Sequence, residues 1–222
     1  MARRPADYYP TPPDVVVGLR HLLQARRNAW NSKKPFFDPC AGMGSMPAFL
    51  DIQAPWILWE LREQCREVLL RYSDDVKIQN ALWDERGAER RIRRWPIANM
   101  LTNTPYQIAD EFHDRMIWRA RRHEVLAASL VRTSYWQVPT AKRDLPPPDV
   151  MGLLRWRPDF TSTSAKGQGY MQSFQWSVWL PRPLKKPQVF FIDRPIVPQS
   201  YWDLYAEMQH PTAGRQGSLQ IC

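Results

Sequence analysis

The chain has 222 residues, 44% of them hydrophobic, with a formal net charge of +9. That is enough apolar material for a real core, in one α/β domain with additions or a domain and a small lobe, and the charge favours a polyanionic partner, nucleic acid first. Cys40, Cys65 and Cys222 form no Cys-x-x-Cys pair, His21, His113, His123 and His210 have no metal-ligand spacing, and no apolar stretch reaches membrane-span length; this argues against a disulfide framework, a metal site and a membrane anchor, and for a cytoplasmic protein.

Residues 1–11 read as extended. Pro12 and Pro13 can open a helix, in which Val15, Val16, Leu19, Leu22 and Leu23 recur at helical spacing. Residues 35–38 form a short buried strand, ending at a turn with glycines at 42 and 44, and a helix begins over 45–50. Trp56 to Glu60 is a second apolar strand with an acid at its tip, and 61–72 reads as a helix with Val68, Leu69 and Tyr72 inward. A third strand over 76–80, a charged helix near 84–94, a fourth strand over 97–102, a helix over 109–121 and a fifth strand over 125–131 follow. Alternation of this kind predicts a mostly parallel sheet covered by helices on both faces. Strands are expected again over 150–156 and 173–180, with 189–192 a candidate for one more. Prolines crowd the remainder, and the tail after 205 is expected to be loose.

In an open α/β sheet, ligands bind beyond the carboxyl ends of the strands, where strand order reverses. Asp38, Glu60, Asn80 and Asn103 fall at such ends on four successive strands. Gly42 and Gly44 let backbone approach a ligand closely and keep the turn tight. Glu60 can accept from both hydroxyls of a ribose, and Asn80 or Asp84 could read an adenine amino group. Asn103-Thr104-Pro105-Tyr106 offers an amide oxygen, a turn stiffened by proline and a ring to stack on, which together suit an aromatic amine. Cys40 lies inside the glycine turn and reads as a small packing residue. Arg86, Arg90 and Arg94 share a helix face, either solvated beside Glu85 and Glu89 or turned to phosphate.

Four of these stretches resemble S-adenosylmethionine-dependent adenine-N6 DNA methyltransferases of the small phage type. Tyr9-Pro10-Thr11-Pro12-Pro13 is similar to the segment that touches the methionine part of the cofactor, and Asp38-Pro39-Cys40-Ala41-Gly42-Met43-Gly44 resembles the cofactor glycine motif. Glu60 falls where the family keeps its ribose-binding acid, and Asn103 to Tyr106 resembles the catalytic Asn/Asp-Pro-Pro-Tyr motif. Arg157-Pro158-Asp159-Phe160 and the tryptophan-rich run 175–179 are weaker echoes, and the likeness covers about residues 7–180.

The resemblance implies a seven-stranded, mostly parallel, Rossmann-like methyltransferase sheet over 1–180 with a proline-rich extension over 181–222. It implies a monomer that uses S-adenosyl-L-methionine and no metal and acts on DNA, phage-encoded in a bacterial host or bacterial. Cofactor contacts are expected from Tyr9, Thr11, Pro12, Asp38, Pro39, Ala41, Gly42, Gly44, Glu60 and Asn80, and catalysis from Asn103, Thr104, Pro105 and Tyr106. Phe160 and Lys166 are candidate substrate contacts, Phe160 equally a core residue. Thr104 is the departure, since the DNA enzymes usually have proline there. Asn-x-Pro-Tyr with an apolar x is also the pattern of ribosomal RNA adenine dimethyltransferases, so RNA stays open as a substrate. A non-catalytic DNA-binding protein that keeps the fold is a further alternative.

Overall fold

A computed structural model describes residues 9–26, 28–82, 95–137, 145–160 and 172–209. One eight-stranded sheet organises them. Its strands are β1 (Phe36–Asp38), β2 (Trp56–Glu60), β3 (Asp75–Ile78), β4 (Asn99–Thr102), β5 (Ala127–Arg132), β6 (Val150–Leu154), β7 (Phe174–Trp179) and β8 (Gln188–Ile192). The order across the sheet is β3-β2-β1-β4-β5-β7-β6-β8. The first five strands are mutually parallel. β7 runs antiparallel to both β5 and β6, and β8 lies parallel to β6. The expected seven strands are therefore eight.

The apolar runs are continuous because both faces of the central strands are covered, with successive side chains pointing to opposite sides. Phe36, Leu58, Leu101 and Ala128 enter the core beneath α1 (Pro13–Gln24), α2 (Ser45–Leu50) and α5 (Gln199–Met208). Their neighbours Phe37, Trp59, Met100 and Ala127 enter a second core. There they meet Phe112, Met116, Ile117 and Ala120 of α4 (Ala109–His123).

Two expectations are corrected. The helix over 61–72 is only a 3-10 turn, Glu63–Cys65, and one α-turn, α3 (Arg66–Leu69). Leu61 and Leu70 stand exposed, so the stretch has few inward apolar positions with which to hold a longer helix. The tail after 205 is helical as far as Met208, and residues 210–222 lie outside the described residues. The helical part continues α5, whose Trp202, Tyr205 and Met208 recur every third residue and are buried. The charged helix near 84–94, with its arginine cluster, lies outside the described residues.

Strand order reverses between β1 and β4: the chain runs outward from β1 to β2 and β3, then crosses back to β4 on the other side. The carboxyl ends of β1 and β4 are Asp38 and Thr102. Both the glycine turn and the Asn103–Tyr106 tetrapeptide therefore leave the sheet at the position where such sheets hold ligands.

Candidate active site

The glycine turn is built from backbone hydrogen bonds aimed by strand-end acids. The Cys40 N–H donates to Asp38 Oδ1 at 3.0 Å, the Ala41 N–H to the Trp59 carbonyl at 2.9 Å, and the Gly42 N–H to Glu60 Oε2 at 2.8 Å. Gly42 (φ 55°) and Gly44 (φ 86°) occupy left-handed backbone. A Cβ on Gly44 would also lie 2.8 Å from the Tyr72 ring, so position 44 excludes a side chain twice over. The other oxygen of Glu60, Oε1, accepts from Arg62 Nε at 2.8 Å and from the Arg62 backbone N–H at 3.1 Å. Glu60 is thus buried behind the turn and shapes it.

A cleft opens over this turn. Of the residues expected at the site, Tyr9, Thr11, Asp38, Ala41, Gly42, Asn103, Thr104, Pro105 and Tyr106 line it together. Pro12 caps α1, its carbonyl accepting from the N–H groups of Val15 and Val16, while Pro39 and Gly44 belong to the turn without lining the cleft. Asn80 is turned to its own loop, its Oδ1 accepting from the Leu82 N–H at 2.9 Å. Phe160 is buried behind the cleft, with its ring 6.5 Å from that of Tyr9 and 4.9 Å from that of Phe174. Lys166 and Asp84 lie outside the described residues.

Asp38 is 2% exposed. Burial, reinforced by the Glu60 carboxylate, pushes its carboxyl up to about 7; the Cys40 N–H and the Thr102 hydroxyl pull the other way without winning. Burial and the same two carboxylates raise the Cys40 thiol well above its ordinary range, which keeps it neutral and unreactive. On the opposite wall the Asn103 side-chain amide donates to the Tyr9 carbonyl at 3.5 Å. Among the described residues no donor reaches Asn103 Oδ1, which stands ready to accept one. Pro105 (φ −58°, ψ 124°) turns the chain into the 3-10 segment Tyr106–Ile108. The guanidinium of Arg132, at the carboxyl end of β5, lies 4.9 Å from the centre of the Tyr106 ring.

The sequence reasoning missed Arg62, Met43, Ser45 and Met46 as lining residues, and Arg132 as the neighbour of Tyr106. Arg62 could have been found, because a cation two residues past a strand-end acid can fold back onto it. Arg132 could not, because only the sheet brings the end of β5 beside the tetrapeptide.

No family model matches the chain, and no curated protein matches it. Among solved structures it is similar to the M protein of the type I restriction enzyme EcoKI (EC 2.1.1.72), at 14% identity and TM-score 0.54, over 90% of this chain. The chain spans about half the length of that M protein, 54%. Weaker likenesses are to an rRNA methylase from Streptococcus thermophilus (13% identity, 81% of this chain and 98% of that one, TM-score 0.41) and to the putative methyltransferase SMU.472 complexed with SAH (11%, 80% and 55%, 0.43). The fold is that of S-adenosylmethionine-dependent methyltransferases, a mostly parallel sheet with one antiparallel strand beside β5.

Proposed function

We propose that the chain transfers a methyl group from S-adenosyl-L-methionine to the N6 amine of an adenine extruded from DNA. One observation carries this reading: a single cleft at the reversal of strand order is walled on one side by the glycine turn and on the other by Asn103, Thr104, Pro105 and Tyr106. The donor set fits this reading. Asp38 gives a buried carboxyl to meet a cofactor ammonium, and Gly42, held by Glu60 from behind the turn, gives close-approaching backbone. When bound, the cofactor supplies an electrophilic methyl on a sulfonium.

The chain's own task is to present the amine. That amine is a poor nucleophile because its lone pair is delocalised into the purine. Asn103 Oδ1 and the Thr104 carbonyl accept its two N–H bonds and favour a pyramidal nitrogen, while Tyr106 stacks on the base. Positioning and electrostatics supply most of the rate, and the acidic methylated product loses its proton without a dedicated base. Reaching the cleft requires the base to leave the duplex, and the net charge of +9 assists binding to the backbone. Thr104 in place of proline keeps an RNA substrate as the second reading.

The test is incubation of the protein with methyl-labelled cofactor and matched adenine-containing DNA and RNA, followed by nucleoside mass spectrometry. N6-methyldeoxyadenosine supports the DNA reading, and N6-methyladenosine from RNA alone replaces it with the second. Cofactor binding without any transfer points to a non-catalytic binding protein, and no binding refutes the site.

A further inference from the structure

Beneath the tetrapeptide lies a buried polar chain that the proposed reaction does not use. Thr104 Oγ1 is 3.4 Å from Ser129 Oγ, and Ser129 Oγ is 2.8 Å from His113 Nε2. His113 Nδ1 is 2.7 Å from the Tyr135 hydroxyl, which donates to Asp110 Oδ1. His113 and Ser129 are 0% exposed and Thr104 is 2% exposed. The imidazole is walled in by the rings of Tyr135, Trp136 and Trp179, with centres 4.9, 6.3 and 5.6 Å away.

One carboxylate sets the direction of every bond. The single phenolic hydrogen of Tyr135 is given to Asp110, so toward His113 the phenol oxygen can only accept. His113 Nδ1 must therefore carry a hydrogen. In the neutral ring Nε2 is then bare and accepts the Ser129 hydrogen. Having spent that hydrogen, Ser129 Oγ accepts from the Thr104 hydroxyl. Donation runs one way, from Thr104 to Asp110.

We propose that His113 is a positioning residue: in its Nδ1-protonated neutral form it holds Ser129, and through Ser129 the side chain of Thr104, fixing the main-chain carbonyl of residue 104 that meets the target amine. This rests on the functional reading above. It accounts for threonine at a position where the resembled enzymes carry proline. Proline stiffens the turn through its ring, and here a hydroxyl tethered to buried partners from β5 and α4 does the same work. The tether needs residue type and place together: a valine at 104 or an alanine at 129 would keep the packing and cut the chain.

Two measurements decide the matter. The first needs no activity. Nitrogen-15 NMR of the imidazole in the full chain at pH 7 is expected to give a neutral ring with its hydrogen on Nδ1; a hydrogen on Nε2, or an imidazolium, overturns the proposal. The second is kinetic. Ser129→Ala and Thr104→Val are each expected to lower kcat about five- to tenfold, with S-adenosylhomocysteine affinity unchanged. The double variant should be no slower than either single one. Thr104→Pro should make kcat insensitive to Ser129→Ala, because ring stiffness replaces the tether. Additive losses, or sensitivity to Ser129→Ala that persists in the Thr104→Pro background, overturn it. Should Ser129→Ala not fold, Thr104→Val paired with His113→Gln, which keeps an acceptor for Ser129, carries the comparison: kcat is expected near wild type in His113→Gln alone, and an equal loss in both overturns the tether. A wild-type protein without transfer to adenine refutes the functional reading, and the position of the imidazole hydrogen still decides the direction of the chain.

Discussion

Asp38 should make the stability of the free protein fall as the pH rises, and its neutral isostere should abolish that fall. Its carboxyl titrates at about 7 when folded and near 3.8 in its ordinary state. Because the folded value is the higher one, the folded chain retains a proton that the unfolded chain has released. Over that interval the unfolded state binds fewer protons, so the unfolding free energy decreases with pH. At about 1.4 kcal/mol per pH unit the whole interval is ~4 kcal/mol. The loss begins near pH 4 and is complete once the pH has passed about 7. Asp14, raised chiefly by its own burial, slopes the same way in both proteins and cancels in a comparison. Urea denaturation of wild type and Asp38→Asn at pH 4.5, 6 and 8 isolates the group: the Asp38→Asn variant should be the more stable by only about 1 kcal/mol at the lowest pH, and by an amount approaching ~4 kcal/mol at the highest. Cofactor binding should show the opposite dependence. If the ionised carboxyl meets an ammonium, affinity below pH 7 weakens about tenfold per pH unit in wild type and is flat and weak in Asp38→Asn. A wild-type stability that rises from pH 5 to pH 8 relative to Asp38→Asn would refute the reasoning.

Asn103→Ala should lower kcat by about 10²–10³-fold, the scale of losing one aligned polar contact to the reacting group, while calorimetry finds S-adenosylhomocysteine affinity within about threefold of wild type; full activity would remove Asn103 from its role. Gly44→Ala should destabilise by about 2–4 kcal/mol, from left-handed backbone and overpacking on Tyr72, and adding Tyr72→Ala should recover the overpacking part in urea titrations. Arg132→Ala frees the Tyr106 ring of a cation 4.9 Å away; if that guanidinium also meets phosphate, the slope of log affinity for DNA against log salt becomes shallower by about 1, and an unchanged slope assigns Arg132 to ring packing alone.

The parts of the fold that were legible in the sequence are those fixed by two-sided burial. Trp56 to Glu60 reads as a strand because a run of four apolar residues ending in an acid leaves no helix period, and its bounds coincide with those of β2. Asp38, Glu60 and Asn103 could be placed on one rim because each ends such a run, and the reversal of strand order then carries Asp38 and Asn103 to one cleft. Asn80 does not line that cleft, and neither does Glu60, which lies behind the turn. β3 ends at Ile78 on the sheet edge, half exposed, and the chain turns before position 80, leaving the amide to serve its own loop. The polar chain under Thr104 could not be read at all. His113, Ser129 and Tyr135 sit on α4, on β5 and just past β5, and only the packing of that helix on that strand joins them.

The last described helix supplies a second layer behind the cleft. α5 is tied to three pieces of the wall. The Tyr205 hydroxyl shares its one hydrogen between the carbonyl oxygens of Pro10, at 3.1 Å, and Phe160, at 3.2 Å, and Gln209 Nε2 donates to the same Phe160 carbonyl at 2.9 Å. Met208 Sδ accepts from the Ser45 hydroxyl at the start of α2. Pro10 lies between Tyr9 and Thr11 in the lining, Phe160 backs Tyr9, and Ser45 follows the glycine turn. A carbonyl on an irregular segment must find a donor once buried, and the donors come from α5. Residues 9–12 can therefore lie against the cleft without a strand or helix of their own. Residues 199–209, distant in sequence from every motif of the site, thus hold the wall against which Asn103 donates to Tyr9.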